Sequence, residues 1–221
     1  MKAHPFVPLE YERPDPDAQV EASAAFLSRL QRRRSVRQFS TEPVPRALVE
    51  NAVAAAGTAP SGAHQQPWTF VVVTDLELKR QLRAAAEEEE RRNYDGRMSE
   101  EWVRALAPLG TDSVKTHLED APYVIVVFEQ VYGIVADGTK TKHYYARESV
   151  GIAVGLLLAS LNEAGLVALT HTPSPMRCIR ELLDRPANER AFCVIPVGYP
   201  AEGCTVPDLA RKPLAAIAVW R

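Results

Sequence analysis

The chain has 221 residues, 46% hydrophobic and 24% charged, with a net charge of −2. That composition suits one globular domain able to bury a core without cross-links, and its charge offers nucleic acid or an anionic membrane no long-range attraction. Three cysteines without a C-x-x-C pair and five histidines without ligand spacing argue against a disulfide framework and against a metal site.

Residues 1–16 are rich in proline and charge and read as an extended arm. MKAHPFVPLEYERPDPD lacks an apolar core of signal-peptide length, so a cytoplasmic protein is expected. From Asp17, the spacing of Val20, Ala24, Phe26, Leu27 and Leu30 predicts a helix that runs into Arg32-Arg33-Arg34. Residues 1–30 are thus an arm and first helix, and residues 31–221 a single domain.

Val36 to Phe39 is a short extended piece. Pro45 then suits a first helical position, and Leu48, Val49, Val53 and Ala56 carry a second helix. TAPSGAHQQP breaks that helix, and Pro60, Ser61, Gly62 and Ala63 form a row with little side-chain bulk. WTFVVV, Trp68 to Val73, and YVIVVF, Tyr123 to Phe128, are continuous β-branched and aromatic runs that predict buried strands. Between them lie a long helix, Leu76 to Tyr94, laced with Glu and Arg, and an amphipathic one, Ser99 to Leu106.

Residues 147–165 predict a helix apolar nearly all round, hence enclosed on every side, with Gly151 and Gly155 on one face for close helix packing, including packing between subunits. Its apolar run, Val150 to Leu161, is about a dozen residues, short of the roughly 20 that cross a bilayer. Leu166 to Leu169 and Phe192 to Val197 are further strands, Met176 to Leu183 is a short helix, and Ala215 to Trp220 is a strand for the edge of a sheet. No Gly-x-Gly-x-x-Gly follows a strand, which disfavours a parallel dinucleotide-binding sheet.

RRRSVRQF, Arg32 to Phe39, concentrates four arginines and a serine between helix and strand. A solvated helix end accounts for Arg32; for the group, guanidinium forks and the Ser35 hydroxyl suit a phosphate. Arg211 in DLARKPL is a second candidate phosphate ligand. THTP, Thr170 to Pro173, ends a strand with two hydroxyls that could meet the edge of a planar ring.

RRSVR-x-F, TAPSGAH-x-x-PW, EEEE-x-x-NY, HYY, LNEAGL, RPANE, PVGYP and TVPDL-x-RKPL together resemble the nitroreductase-like flavoproteins. Within them, PSGAH with Glu90, Tyr94 and Lys115 is similar to the branch that reductively removes iodine from iodotyrosines. The resemblance runs from Arg32 to the C-terminus. It implies an α+β fold with a central mixed β-sheet flanked by helices, and an intertwined homodimer with extended terminal arms and FMN between the subunits.

FMN would meet Arg33, Arg34, Ser35, Val36, Arg37, Pro60, Ser61, Gly62, Thr170, His171, Thr172 and Arg211. Arg33 and Arg211 would hold its phosphate, Arg37 the pyrimidine end of the ring, and Thr172 its N5 atom. The substrate would be a halogenated tyrosine, with Ala63 and Thr172 closest to the chemistry and the Ala63 N–H donating to the phenolate oxygen. Glu90 would take the ammonium, while Tyr94 and Lys115 donate to the carboxylate; Glu90 and Tyr94 share a helix face at a spacing of four.

Residues of about 87–116 would form a lid, disordered without substrate. Electrons would come from NAD(P)H, directly or through a reductase, and pass one at a time; no membrane or nucleic-acid partner is implied. Without the triad, a general NAD(P)H-dependent nitroreductase or quinone reductase would be the alternative. The family's deiodinases usually read three threonines where this chain has Thr170, His171 and Thr172.

Overall fold

The structure is a computed structural model that describes residues 5–221, so the first four residues of the expected arm lie outside the described part. The chain forms two compact units, residues 1–33 and 34–221. In the first, residues 5–15 are irregular and exposed, and helix α1 spans Pro16–Arg32. The Asp15 carboxylate accepts the Asp17 N–H at 2.9 Å, and Pro16 presets the first helical φ. The helix buries none of its residues, although Val20, Phe26 and Leu27 are apolar.

The second unit is built on a four-stranded sheet of β1 (Trp68–Val73), β2 (Tyr123–Gln130), β5 (Val167–Ala168) and β6 (Glu189–Gly198), in the order β1-β2-β6-β5. Every pair of these strands is antiparallel, and a single isolated bridge joins Ser35 to Ala168 in parallel. In β2, alternate side chains serve two cores. Ile125 and Val127 pack with α2 (Arg46–Gly57) and α6 (Ala146–Glu163); Val124, Val126 and Phe128 pack with α3 (Leu76–Arg92) and α7 (Arg177–Leu182). A strand covered on both faces needs the unbroken apolar run that β2 has. Before β2 come α4 (Glu100–Leu106), which Ser99 caps, and the single turn α5 (His117–Asp120).

Three expectations are corrected, and one element appears that none foresaw. β1 has the predicted bounds but is only partly buried, because it lies at the sheet edge with β2 on one side alone. Helix α6 is not enclosed within its own chain: Val150, Ala153, Val154, Leu157 and Leu161 are buried, while Gly151, Ile152, Gly155 and Leu156 are exposed. Ala215 to Trp220 forms no strand. A 3-10 turn at Leu214–Ala216 leads into a tail whose Ile217, Val219 and Trp220 are exposed, since its own chain brings no strand edge to it. Finally, a short hairpin, β3 (Tyr132–Ile134) with β4 (Lys140–Lys142), was not anticipated, its strands being short and largely polar. No helix among the described residues is long and apolar enough to cross a membrane.

Candidate active site

The small-residue row lies in a tight loop after α2. Ala63, His64 and Gln66 have φ of 50°, 55° and 48°. A side-chain-bearing residue in this left-handed region costs about 1–3 kcal/mol, so the surroundings must impose the conformation. They do so through hydrogen bonds. Ser61 Oγ accepts the Gln66 N–H at 2.9 Å, and Gln65 Nε2 donates to the Lys142 carbonyl at 2.8 Å. Gln65 Oε1 accepts the Tyr144 N–H at 2.8 Å, and Ser149 Oγ accepts the Gly62 N–H at 3.3 Å. The loop is thereby pinned to the start of α6 and to the β4 region. Ala63 itself is exposed, and its N–H has no acceptor among the described residues.

The second cluster is buried. Helix α3 turns Glu90 inward and continues into a turn at Asn93–Arg97 that carries Tyr94. Lys115, just before α5, is 3% exposed, and its Nζ lies 3.5 Å from Glu90 Oε2. Lys115 Nζ also donates to Thr111 Oγ1 at 3.2 Å and to the Asp112 carbonyl, and Tyr94 Oη donates to the Thr111 carbonyl at 3.0 Å. Glu87 is half-buried, and its carboxylate accepts the Lys115 N–H at 2.8 Å while pairing with Arg83 at 2.7 Å, so it fixes the Lys115 backbone.

His171 completes this cluster. Its backbone exchanges two hydrogen bonds with Val194 of β6, at 2.9 and 2.8 Å, and its Nε2 lies 3.6 Å from Glu90 Oε1. The His117 ring, absent from the predicted site, meets the His171 ring edge-on with centroids 5.4 Å apart. Burial pushes the Glu90 carboxyl up, but His171 and Lys115 outweigh it and leave it below its ordinary value. Burial holds Lys115 below its usual range against the pull of Glu90, and takes His117 down to about 3, aided by the His171 and Lys115 charges. Burial raises the Tyr94 hydroxyl, with the Glu90 charge adding to it.

Arg37 joins the basic segment to this cluster: it is half-buried and coupled electrostatically to Tyr94, Lys115, His117 and His171. With Ser35 it lines a cavity of about 310 Å3 whose far wall is Pro108, Leu109 and Gly110. Val36 is buried, its N–H donating to the Ala168 carbonyl at 3.2 Å; Arg34 donates to the Pro207 carbonyl and ties the segment to the C-terminal tail. Thr170 and Thr172 are exposed on either side of His171, and Pro60 and Arg211 are exposed as well. Arg33 ends α1 in the first unit.

Glu90, Tyr94, Lys115, Arg37 and His171 are therefore brought together, whereas the Ala63 loop is tied to Lys142, Tyr144 and Ser149. No hydrogen bond or ion pair among the described residues joins the loop to the Glu90 cluster. Two larger cavities, of about 480 and 670 Å3, lie elsewhere, the first beside Arg147, Arg180 and Arg190 and the second between α2 and β1.

The nitroreductase family matches residues 30–199. An iodotyrosine deiodinase of Haliscomenobacter hydrossis is 54% identical over 220 residues, covering 99% of both chains. The human iodotyrosine deiodinase 1 is 47% identical over 96% of this chain and 74% of its own length. In structure, the chain is similar to an iodotyrosine deiodinase crystallised with FMN and 3-iodo-L-tyrosine, with a TM-score of 0.75 and 31% identity over 89% of this chain and 97% of that one. The chain belongs to the nitroreductase family and groups there with the iodotyrosine deiodinases.

Proposed function

We propose that this chain is an FMN-dependent reductive dehalogenase that converts 3-iodo- and 3,5-diiodo-L-tyrosine to L-tyrosine, with bromo- and chlorotyrosine as further substrates. The observation that carries the proposal is the buried meeting of Glu90, Tyr94 and Lys115, one acid and two donors. That set matches the ammonium and carboxylate of an amino acid in charge and hydrogen-bonding type. A general nitroreductase has no use for it.

The donor groups fit FMN. Ser35 and Arg37 line one cavity, and the exposed Thr170 and Thr172 hydroxyls flank the cluster. Arg33 and Arg211 would hold the phosphate, Arg34 and Val36 would shape the segment, and Pro60, Ser61, Gly62 and the His171 backbone would border the ring. Thr172 would donate to N5. When bound, FMN supplies two electrons, drawn in turn from NAD(P)H directly or through a reductase.

Those electrons and one proton replace iodine by hydrogen at the ring carbon, so a C–I bond breaks, a C–H bond forms and iodide leaves. Glu90 binds the ammonium. Lys115 and Tyr94 turn from Thr111 and Asp112 to the carboxylate. The Ala63 N–H donates to the phenolate oxygen, which favours the electron-rich ionised ring. The segment of residues 87–116 acts as the lid: Trp102, Val103 and Val114 expose apolar surface that a closed site would use.

A homodimer, each subunit supplying part of a site, is consistent with an Ala63 loop and a Glu90 cluster that share no hydrogen bond or ion pair among the described residues. It also gives a partner to the open face of α6, to α1 and to the C-terminal tail, for which β1 offers an unpaired edge. The test is anaerobic: purified flavoprotein reduced with dithionite should release iodide from 3-iodotyrosine. Rapid NADH oxidation with a nitroaromatic and no iodide release would overturn the reading in favour of a general nitroreductase.

A further inference from the structure

We propose that His171 is a positioning residue for substrate recognition, its Nε2–H holding Glu90 Oε1 so that Oε2 stays aimed at the substrate ammonium. The inference deepens the dehalogenase reading and rests on it.

Glu90 is held from two sides. Oε2 faces Lys115 Nζ at 3.5 Å, and Oε1 faces His171 Nε2 at 3.6 Å. In the proposed complex, Lys115 leaves Glu90 for the substrate carboxylate. A glutamate with three rotatable bonds then loses one of its two anchors at the moment when it must point at the ammonium, and His171 is the anchor that remains.

The imidazole suits that task because the sheet locates it. The two backbone hydrogen bonds to Val194 fix the chain at position 171, and the His117 ring stands edge-on against it. Both His171 ring nitrogens are buried without a hydrogen-bond partner. At 3.6 Å the Glu90 oxygen is just beyond hydrogen-bond distance, so a side-chain shift of under about 1 Å makes a bond to an ionised acceptor, the stronger kind. Buried N–H groups are rarely left unmade, so that shift is favoured.

A neutral imidazole can donate to Glu90 without adding charge; an imidazolium would compete with the ammonium for the same carboxylate. The charged and titratable groups facing His171 are Glu90 from α3, Lys115 just before α5, His117 at the start of α5, and Arg37 from the basic segment; β6 presents the Val194 backbone. Burial lowers the His171 pKa first, and Lys115 and Arg37 lower it further against the opposing pull of Glu90. The neutral donor is therefore the form at neutral pH, and acid converts it to the competitor.

The experiment uses the flavin-loaded protein with His171→Ala and His171→Gln. Flavin fluorescence titration gives Kd for 3-iodotyrosine and for 3-(4-hydroxy-3-iodophenyl)propanoate, which lacks the ammonium; KM and kcat follow between pH 5 and 8. His171→Ala should weaken iodotyrosine about tenfold in Kd and KM, the loss of a hydrogen bond to a charged group, with kcat within about twofold and the propanoate unaffected.

His171→Gln, whose amide reaches the Nε2 position, should restore the Kd at pH 7.5. It should also abolish a rise in KM that the parent shows as pH falls below the ordinary histidine range. An unchanged Kd in His171→Ala, equal loss of both ligands, or an acid rise that persists in His171→Gln overturns the proposal. If the alanine variant does not fold, the glutamine variant's pH profile decides alone. A parent protein that binds neither compound overturns the dehalogenase reading and this proposal with it.

Discussion

A Cβ added at Gly62 would stand 2.1 Å from the carbonyl oxygen of Tyr144 and 2.8 Å from its carbonyl carbon. The chain's own backbone therefore demands glycine there, whatever else approaches the loop. Overpacking of this kind costs about 1–3 kcal/mol. Gly62→Ala should accordingly melt several degrees lower and bind FMN poorly, because the loop and the start of α6 must separate. Thermal denaturation with flavin absorbance checks this, and an unchanged melting temperature would mean that Tyr144 yields.

Glu90→Gln keeps the shape of the side chain and removes its charge. Iodotyrosine affinity should fall more than about tenfold, as for loss of a bond between charged partners, while binding of a plain iodophenol is retained. The Lys115 ammonium, buried and deprived of its counter-charge, should also lower stability. Paired titrations with the two ligands separate the effects.

Glu189 should contribute to acid stability. Its carboxylate accepts Arg185 Nε at 2.7 Å, Arg185 Nη2 at 3.0 Å and Thr69 Oγ1 at 2.6 Å. Burial pushes its pKa up, but Arg185 and Thr69 prevail and the net shift is downward. A depressed folded pKa adds stability above the unfolded value, and that stability is lost as pH falls through the folded pKa. Glu189→Gln should thus be less stable at pH 7 by about 1–2 kcal/mol, discounted because Arg185 is partly exposed. Its melting temperature should also fall less steeply than the parent's between pH 6 and 3, measured as melting curves against pH.

A Cβ at Gly155 would meet nothing within 4 Å in its own chain. Gly155→Leu should therefore leave the monomer's circular dichroism intact while weakening the proposed dimer and its hold on flavin. Light scattering with flavin quantitation tests it; a flavin-loaded dimer of unchanged affinity would remove this face of α6 from the interface.

Thr172→Ala removes an exposed hydroxyl beside the buried cluster. FMN should stay bound while iodide release falls at least about tenfold, measured under dithionite. Full turnover would exclude the proposed contact to N5.

The residues themselves determined a good deal. WTFVVV and YVIVVF announce strands by unbroken β-branched runs, and the spacing of Glu90 and Tyr94 puts them on one side of a helix end. The motifs from Arg32 to Lys212 identify the family. These features are local, and neighbouring residues suffice to encode them. Tertiary structure decided what depends on distant approach: that Gly62 is small because Tyr144 is there, that Glu87 holds Lys115, and that His171 reaches Glu90 with the His117 ring against it. The apolar character of α6, β1 and the C-terminal tail is likewise plain in the sequence. An apolar pattern states that a surface is to be covered, though, and not by which partner. Only the packed chain reveals that half of α6, the outer edge of β1 and the tail find no cover among the described residues.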